Sequence, residues 1–199
     1  MKKLQLENFQ CNNQLNNIED PYYTCFPSSV ASGIRCLEGQ KKGRKRPEYM
    51  VESLDDVFVK DMNDNLSSYK KMALKIGAWT SSYHPRTIYM FWEKFYFPQK
   101  VEGYQAKYAS MTFQEIKDWM KLNESPVCIG TKFTNKGHIV CIGGYDETGF
   151  IVNDPYGNAM EGYNPKGGVI AHYPYNAKGW VNSGVSELQK YNCLLITRG

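Results

Sequence analysis

Two short apolar runs around a turn, within residues 137–157, constrain the fold of this chain more than any other feature. Residues 138–144 form the first run and residues 150–153 the second, with the turn formers of 146–149 between them. Both runs are rich in Val, Ile and Phe and are too short for a typical helix. The simplest interpretation is an antiparallel β-hairpin.

This hairpin sets two polar side chains opposite each other if its loop is short. Pairing Gly144 with Thr148 across three residues places His138 directly opposite Asp154, with Cβ atoms about 4.5–5.5 Å apart. A one-residue change of register would separate the two side chains. The rest of that face is apolar: Val140, Ile142, Phe150 and Val152. The predicted imidazole–carboxylate contact is either the support of a nucleophile or a structural hydrogen bond.

A second stretch, residues 25–39, predicts a helix that begins at a cysteine. Pro27 suits the first helical turn, and Gly39 lies where the end of a helix is expected. Small residues fill much of the remaining surface, so the helix is suited to close packing. Cys25 lies where the helix dipole and free N–H groups favour a thiolate. The apolar residues recur at helical spacing: Phe26, Val30, Ile34 and Leu37.

The other five cysteines predict ordinary roles. They form no C-x-x-C pair, which indicates reduced and mostly buried thiols. Cys11 competes with Cys25 by position, but no helix follows it. His138 and Cys141 are three residues apart on a strand and so face opposite sides, which argues against a metal site. Four cysteines lie in predicted regular elements: Cys36, Cys128, Cys141 and Cys193.

The remaining segments predict a mixture of helices, strands and loops. Thr112 and Glu115 form a capping box that begins a helix. The aromatic stretch 87–97 indicates core or groove wall, or alternatively a carbohydrate- or peptide-binding face. Further expected elements are strands at 3–10, 127–131 and 191–197, helices at 48–64 and 66–76, and loops with a flap over 158–184.

The length of 199 residues and the 42% hydrophobic content, which suffices for a core, predict one domain over residues 1–199. Residues 40–110 are expected to form a mainly helical insertion within this domain. No run approaches the roughly 18 apolar residues of a membrane span. Polar residues interrupt the start, MKKLQLENFQ, so synthesis in the cytoplasm without an export signal is expected. The net charge of +4 comes largely from residues 41–46. No nucleic-acid motif accompanies this basic run, so no nucleic-acid partner is expected.

In their order, these pieces resemble the papain-like cysteine peptidases of the bacteriocin-leader-processing, double-glycine-peptidase-like type, in their stand-alone form. The helix TFQEIKDWM followed by the strand SPVCIG also resembles that family. The central insertion is longer and more aromatic than in a minimal member. The matching stretches are QLNN at 14–17, CFPSSVASGI at 25–34, GHIVCIGGYD at 137–146 and FIVNDPYG at 150–157.

The resemblance implies an α+β fold in which the Cys25 helix packs on an antiparallel sheet carrying His138 and Asp154. It implies that Cys25 is the nucleophile, that His138 is the general base, and that Asp154 orients the imidazole. Gln14 would be the side-chain donor of an oxyanion hole, where one donor is typically worth about 10²–10³ in turnover. The backbone N–H of Cys25 would be the second donor. No cofactor or metal ion is implied.

The expected function is that of a cysteine endopeptidase acting on bacterial cell-wall (peptidoglycan) peptides, as in phage or bacterial lysins that resemble this family. Action at the wall would require release by a route other than a signal peptide. The nearest alternative is a leader-peptide or self-processing peptidase. Two further alternatives are a papain-like domain that only binds, through its aromatic middle, and an acyl- or amidotransferase in which an amine replaces water.

Overall fold

A computed structural model describes residues 4–6, 9, 11–19, 21–39, 54–75, 86–180 and 189–199. In these ranges most of the helices precede most of the strands, and the strands form a single antiparallel sheet. A π-helical turn, Trp92–Tyr96, joins the third and fourth helices. The helices are α1 Cys25–Gly39, α2 Leu54–Lys75, α3 Thr87–Phe91, α4 Phe97–Lys100 and α5 Phe113–Asn123. The strands are β1 Leu4–Gln5, β2 Tyr104–Met111, β3 Val127–Thr131, β4 His138–Tyr145, β5 Gly149–Asp154, β6 Val169–Pro174 and β7 Tyr191–Arg198.

The sheet has the order β2-β7-β3-β4-β5-β6, and every neighbouring pair is antiparallel. The short β1 pairs with β4 at Tyr145 and Gly144, beyond the end of β3. The predicted α+β class is therefore confirmed. The expectation of loops throughout 158–184 is wrong, because β6 pairs with β5 along its whole length. Its Gly- and Pro-rich surroundings gave no local strand signal, and the pairing with β5 stabilises the strand.

Helix α1 packs closely on the sheet, as its small residues predict. A Cβ atom at Gly33 would lie 2.9 Å from Ile196 Cδ1, so a larger residue would require the Ile196 side chain to move. The hydroxyl of Ser29 donates a hydrogen bond to the carbonyl of Ile139 at 3.0 Å. The apolar stripe of the helix is buried in the core. The N-terminus of α1 is thereby fixed against the start of β4.

Helix α2 is one continuous helix where the sequence predicted two, at 48–64 and 66–76. The polar residues near Asn65 look like a break, but Asn65 Nδ2 donates to the Asp61 carbonyl at 3.1 Å and so satisfies itself within the helix. Asp61 also accepts hydrogen bonds from the hydroxyls of Tyr69 at 2.7 Å and Tyr96 at 2.9 Å. Residues 48–53 and 76, and the basic run 41–46, lie outside the described residues.

The aromatic stretch 87–97 forms core, with one end that reaches a groove wall. Its rings pack edge-on and tilted against α1 and α2, as in the contact of Phe26 with Tyr89 at 5.2 Å between ring centroids. Ile88 and Tyr89 also line a surface cleft. Most of the stretch is therefore core, and a peptide-binding role is confined to the end that carries Ile88 and Tyr89. The buried members are Tyr89, Phe91, Trp92, Phe95, Tyr96 and Phe97.

The capping box that begins α5 is confirmed. Thr112 Oγ1 accepts from the Glu115 N–H at 3.2 Å, and the Glu115 carboxylate accepts from the Thr112 N–H at 2.6 Å. Ile116 and Met120 of this helix are buried with Val140 and Ile142 in a second core cluster, to which α1 contributes Cys36. Among the helices described, none is both long and apolar enough to cross a membrane.

Candidate active site

The predicted contact between His138 and Asp154 is confirmed, although the predicted register is wrong. His138 Nε2 lies 2.7 Å from Asp154 Oδ1, and both side chains are buried. The pairing near this end of the hairpin is Cys141 with Asn153, two residues away from the expected register. A shift of two keeps every side chain on its face, so the two residues become diagonal neighbours that still make contact.

A β-bulge at Gly143 explains how the register changes toward the turn. Ile142 pairs with Val152, but Gly144 pairs with Ile151, so Gly143 has no partner of its own on β5. The Phe9 ring lies against this glycine so closely that a Cβ atom would overlap it. Tyr145 therefore faces Phe150, in place of the Gly144–Thr148 pair expected from the sequence.

Asp154 is fully buried and accepts hydrogen bonds on both carboxylate oxygens. Oδ1 accepts from His138 and from the Tyr156 backbone N–H at 2.9 Å. Oδ2 accepts from the hydroxyl of Tyr173 at 2.7 Å, and Tyr163 contributes a longer contact at 3.4 Å. These two tyrosines were not identified from the sequence, where the abundance of tyrosine in 158–184 was the available signal. Together they hold the carboxylate in one orientation behind the imidazole.

Cys25 is the first residue of α1 and is partly exposed. No acidic residue lies in the first turn of this helix itself, and the nearest carboxylate in its hydrogen bonding is that of Asp55 from α2, which accepts from the Ser28 hydroxyl at 2.9 Å. The thiol lies close enough to the His138 ring to raise the pKa of the imidazole, and both side chains line the same two clefts. Because Asp154 occupies Nε2, the nitrogen that remains for the thiol is Nδ1. The structure therefore brings Cys25, His138 and Asp154 together in the predicted order.

The electrostatics of this group favour a charged imidazole. Burial lowers the pKa of His138. Hydrogen bonding to Asp154 and Cys25 and their negative charge raise it by a larger amount, so the net pKa moves from 6.5 to about 10. The rings of Tyr156 and Tyr163 flank the imidazole in T-shaped contacts, at 6.3 and 6.1 Å between centroids. At neutral pH the ring therefore holds a proton that it can deliver to a neighbouring group.

Gln14 lies in a 3₁₀ turn, Gln14–Asn16, that contributes to the surface around Cys25. Its backbone N–H donates to the carbonyl of Pro155 at 2.9 Å, which ties this turn to the segment that follows Asp154. Its Nε2 donates to the carbonyl of Pro21 at 2.8 Å and has a second hydrogen. The side chain is buried, and its Oε1 has no hydrogen-bond partner among the described residues. Gln14 and Cys25 line the same cleft.

A buried polar network fastens the Gln14 turn to the rest of the site, and the sequence analysis did not identify it. Asn153, next to Asp154, accepts from the Asn12 N–H at 3.1 Å and from the Ser32 hydroxyl. Its Nδ2 donates to the Asn12 carbonyl at 3.2 Å and to the sulfur of Cys11 at 3.3 Å. Desolvation raises the pKa of the Cys11 thiol to about 11, so this cysteine is not primed as a nucleophile.

Two open clefts meet at Cys25 and His138. The larger has a volume of about 590 Å³ and reaches along Ile88, Tyr89 and Ile139. The smaller has a volume of about 370 Å³ and lies on the side of Gln14, with Tyr22 and Tyr156 in its wall. Both are bordered by Tyr23 and by 135–137 of the β3–β4 loop. An extended chain crossing from one cleft to the other would therefore pass over the sulfur of Cys25.

Among the residues that the structure describes, the remaining titratable side chains form no alternative centre. All six cysteines are free thiols, as predicted. Within the described ranges, no group of three or more His, Cys, Asp or Glu residues is arranged to hold a metal ion. His172 pairs with Asp146 at 3.1 Å, but this pair lies at the opposite end of the hairpin and is partly exposed.

An α+β fold with a helix-terminal cysteine, a histidine on the facing strand and a carboxylate behind it defines a papain-like cysteine peptidase. The chain belongs to the Peptidase_C39 like family, whose sequence model matches residues 6–179. The protein is therefore a cysteine peptidase, a hydrolase. No curated protein and no solved structure matches the chain.

Proposed function

We propose that the protein is an endopeptidase that cleaves peptide bonds with Cys25, His138 and Asp154, and that its substrates are bacterial cell-wall peptides. The observation that carries the proposal is the 2.7 Å contact of His138 with Asp154 beside Cys25, where two clefts meet. The clefts leave room for peptide on both sides of the sulfur, as cleavage within a chain requires.

The first half of the proposed reaction forms a thioester. In the resting site the proton of the Cys25 thiol is already on His138, because a pKa of about 10 keeps the imidazole charged at neutral pH, and the thiolate attacks the carbonyl carbon of the scissile bond. Asp154 acts as a positioning residue, since it contacts the imidazole and not the substrate. The imidazolium then donates its proton to the leaving amine as the C–N bond breaks. The raised pKa of His138 suits this step, because the ring carries the proton at neutral pH.

Two donors are available for the oxyanion that develops on the substrate carbonyl. One is the backbone N–H of Cys25 at the start of α1, where the helix leaves its first N–H groups unpaired. The other is the second Nε2 hydrogen of Gln14, whose first hydrogen is held by Pro21. The Asn153 network supports this role, because it fixes the turn that carries Gln14.

The second half hydrolyses the thioester. A water molecule attacks the acyl carbon while His138 takes its proton, and the Cys25 sulfur leaves and regains a proton. The products are a new carboxylate and a new amino terminus, and no cofactor is required. An acyltransferase would follow the same path with an amine in place of water. The hydrolytic reaction is favoured because both clefts are open to solvent.

The cell-wall substrate is supported by charge. The chain has a net charge of +4, which favours association with an anionic polymer such as the bacterial wall. On this proposal, the protein is synthesised in the cytoplasm and acts on the wall after release. A leader-peptide or self-processing peptidase would use the same site on a different chain.

Digestion of purified peptidoglycan tests the proposal. We expect the wild-type protein to release new amino termini, measured by amine labelling and mass spectrometry of the fragments, and Cys25→Ala to release none. Cleavage of unrelated linear peptides without any attack on peptidoglycan would contradict the cell-wall substrate. Release of reducing sugar ends without amino termini would contradict peptide-bond cleavage.

A further inference from the structure

The larger cleft is bordered by positive charge and, within the part of the chain that the structure describes, by no carboxylate. Its lining includes Lys132, Lys136 and Lys190, together with neutral polar and apolar residues. Lys136 also borders the smaller cleft, whose other described lining residues carry no carboxylate either. The path of a substrate peptide is therefore cationic beside the reacting sulfur.

The charges of two of these lysines are not neutralised by the described residues. Lys132 is exposed, and no described carboxylate pairs with it. Lys136 Nζ donates to the hydroxyl of Tyr23 at 3.0 Å and lies 5.0 Å from the centre of that ring, so its partner is neutral. Lys190 differs, because it lies 3.8 Å from the Glu115 carboxylate. Among the lysines of the cleft, Lys132 and Lys136 therefore keep charges that no described carboxylate neutralises.

The position of Lys136 gives its charge access to a bound peptide. The Lys136–Tyr23 contact joins the β3–β4 loop to the segment preceding α1, across the junction where both clefts meet. Both side chains are exposed, so the contact is easily exchanged for one with a substrate. A carboxylate bound near this point would form a charge-assisted hydrogen bond that the tyrosine hydroxyl cannot match.

We propose that the larger cleft selects peptides that carry carboxylate side chains or free carboxyl groups near the scissile bond, and that Lys132 and Lys136 recognise them. This inference rests on the proposed peptidase site and names the chemistry of its substrate. The apolar wall of Phe26, Ile88 and Ile139 binds the aliphatic part of the peptide, while the lysines at the rim bind its charges. Acidic cell-wall stem peptides with unamidated carboxyl groups fit this chemistry.

Binding to the Cys25→Ala variant tests the inference without dependence on turnover. The probes are peptidoglycan stem peptides in free-carboxylate and amidated forms, and linear Gly/Ala peptides that carry either Glu or Gln. We expect the carboxylate form of each pair to bind on the order of tenfold more tightly at low salt, with the preference falling as salt is added. Fluorescence anisotropy of labelled peptides provides the measurement.

The variant Lys132→Glu/Lys136→Glu, made in the Cys25→Ala protein, is expected to remove this preference or reverse it. Lys121→Glu is the matched control, because it makes the same type of charge change on the exposed surface of α5 and lines neither cleft. Equal binding of the two forms, no binding of either form, or an equal loss in the Lys121→Glu control would overturn the inference.

The binding assay separates this inference from the proposed function. A carboxylate preference in binding, with no amino termini released by the active protein, would contradict the peptidase proposal and leave the cleft assignment standing. Release of amino termini at equal rates from free and amidated stem peptides would support the peptidase proposal and contradict the carboxylate selectivity of the cleft. A preference seen only with the linear peptides would support the cleft chemistry and contradict the cell-wall substrate.

Discussion

Cys25→Ser and His138→Ala are each expected to lower peptide-bond turnover by at least about 10⁴-fold. The two groups act as one unit, since the sulfur needs the imidazole as base and the leaving amine needs it as acid. The double variant is therefore expected to lose about as much as either single variant. Initial rates on a cleaved peptide, with circular dichroism to verify folding, provide the measurement.

Cys11→Ser is the matched control for the cysteine, because Cys11 is the other cysteine exposed at the surface and its thiol is not activated. Its rate is expected to stay within about twofold of the wild type, because a serine hydroxyl can still accept the hydrogen bond that Asn153 Nδ2 donates to Cys11. A Cys11→Ser protein that loses turnover while Cys25→Ser retains it would show that the nucleophile has been assigned to the wrong residue.

Asp154→Asn is expected to move the alkaline limb of kcat/KM to lower pH and to reduce its maximum by about 10²–10⁴-fold. The negative charge of Asp154 contributes to raising the pKa of His138 to about 10, and an amide keeps the hydrogen bond but removes that charge. The proton-donating imidazolium is therefore lost at lower pH, with the limb moving from about 10 toward the ordinary histidine value of 6.5.

The raised pKa of His138 also makes the stability of the folded protein depend on pH. A histidine whose pKa is raised in the folded state stabilises it fully below pH 6.5, and this contribution is lost as the pH rises through about 10.

Asp146→Asn is the matched control for the kinetic effect of Asp154→Asn, since Asp146 also pairs with a histidine, His172, but far from the clefts. An unchanged alkaline limb in Asp154→Asn, or an equal shift in Asp146→Asn, would contradict the role given to Asp154.

Local patterns in the sequence predicted the parts of the site that depend on one element. The helical spacing of Phe26, Val30 and Ile34 places Cys25 at the start of α1, and the alternation of β4 and β5 places His138 and Asp154 on one face. The contact of His138 with Asp154 was predicted correctly although the register was wrong by two residues, because side chains two residues apart on a strand lie on the same face. The bulge at Gly143 had only the weak signal of two adjacent glycines.

Contacts between distant segments were not predictable in the same way. Tyr163 and Tyr173 reach Asp154 from a segment without a clear period, and β6 forms because β5 offers a free edge. Asn65 led to the prediction of two helices in place of α2, because its hydrogen bond to the Asp61 carbonyl within the helix could not be foreseen from the sequence. The cationic cleft joins Lys132 and Lys136 of one loop to Lys190 near the C-terminus, so its charge becomes visible only when the sheet is assembled.

Alkylation of Cys25 by iodoacetamide at pH 6, followed by peptide mass spectrometry, tests the central assignment most directly. We expect Cys25 to react much faster than the other five cysteines, and His138→Ala to remove this advantage, because the imidazolium stabilises the thiolate. If Cys25 reacts no faster than Cys11, or is unaffected by the loss of His138, the assignment of Cys25 and His138 as a catalytic pair is contradicted.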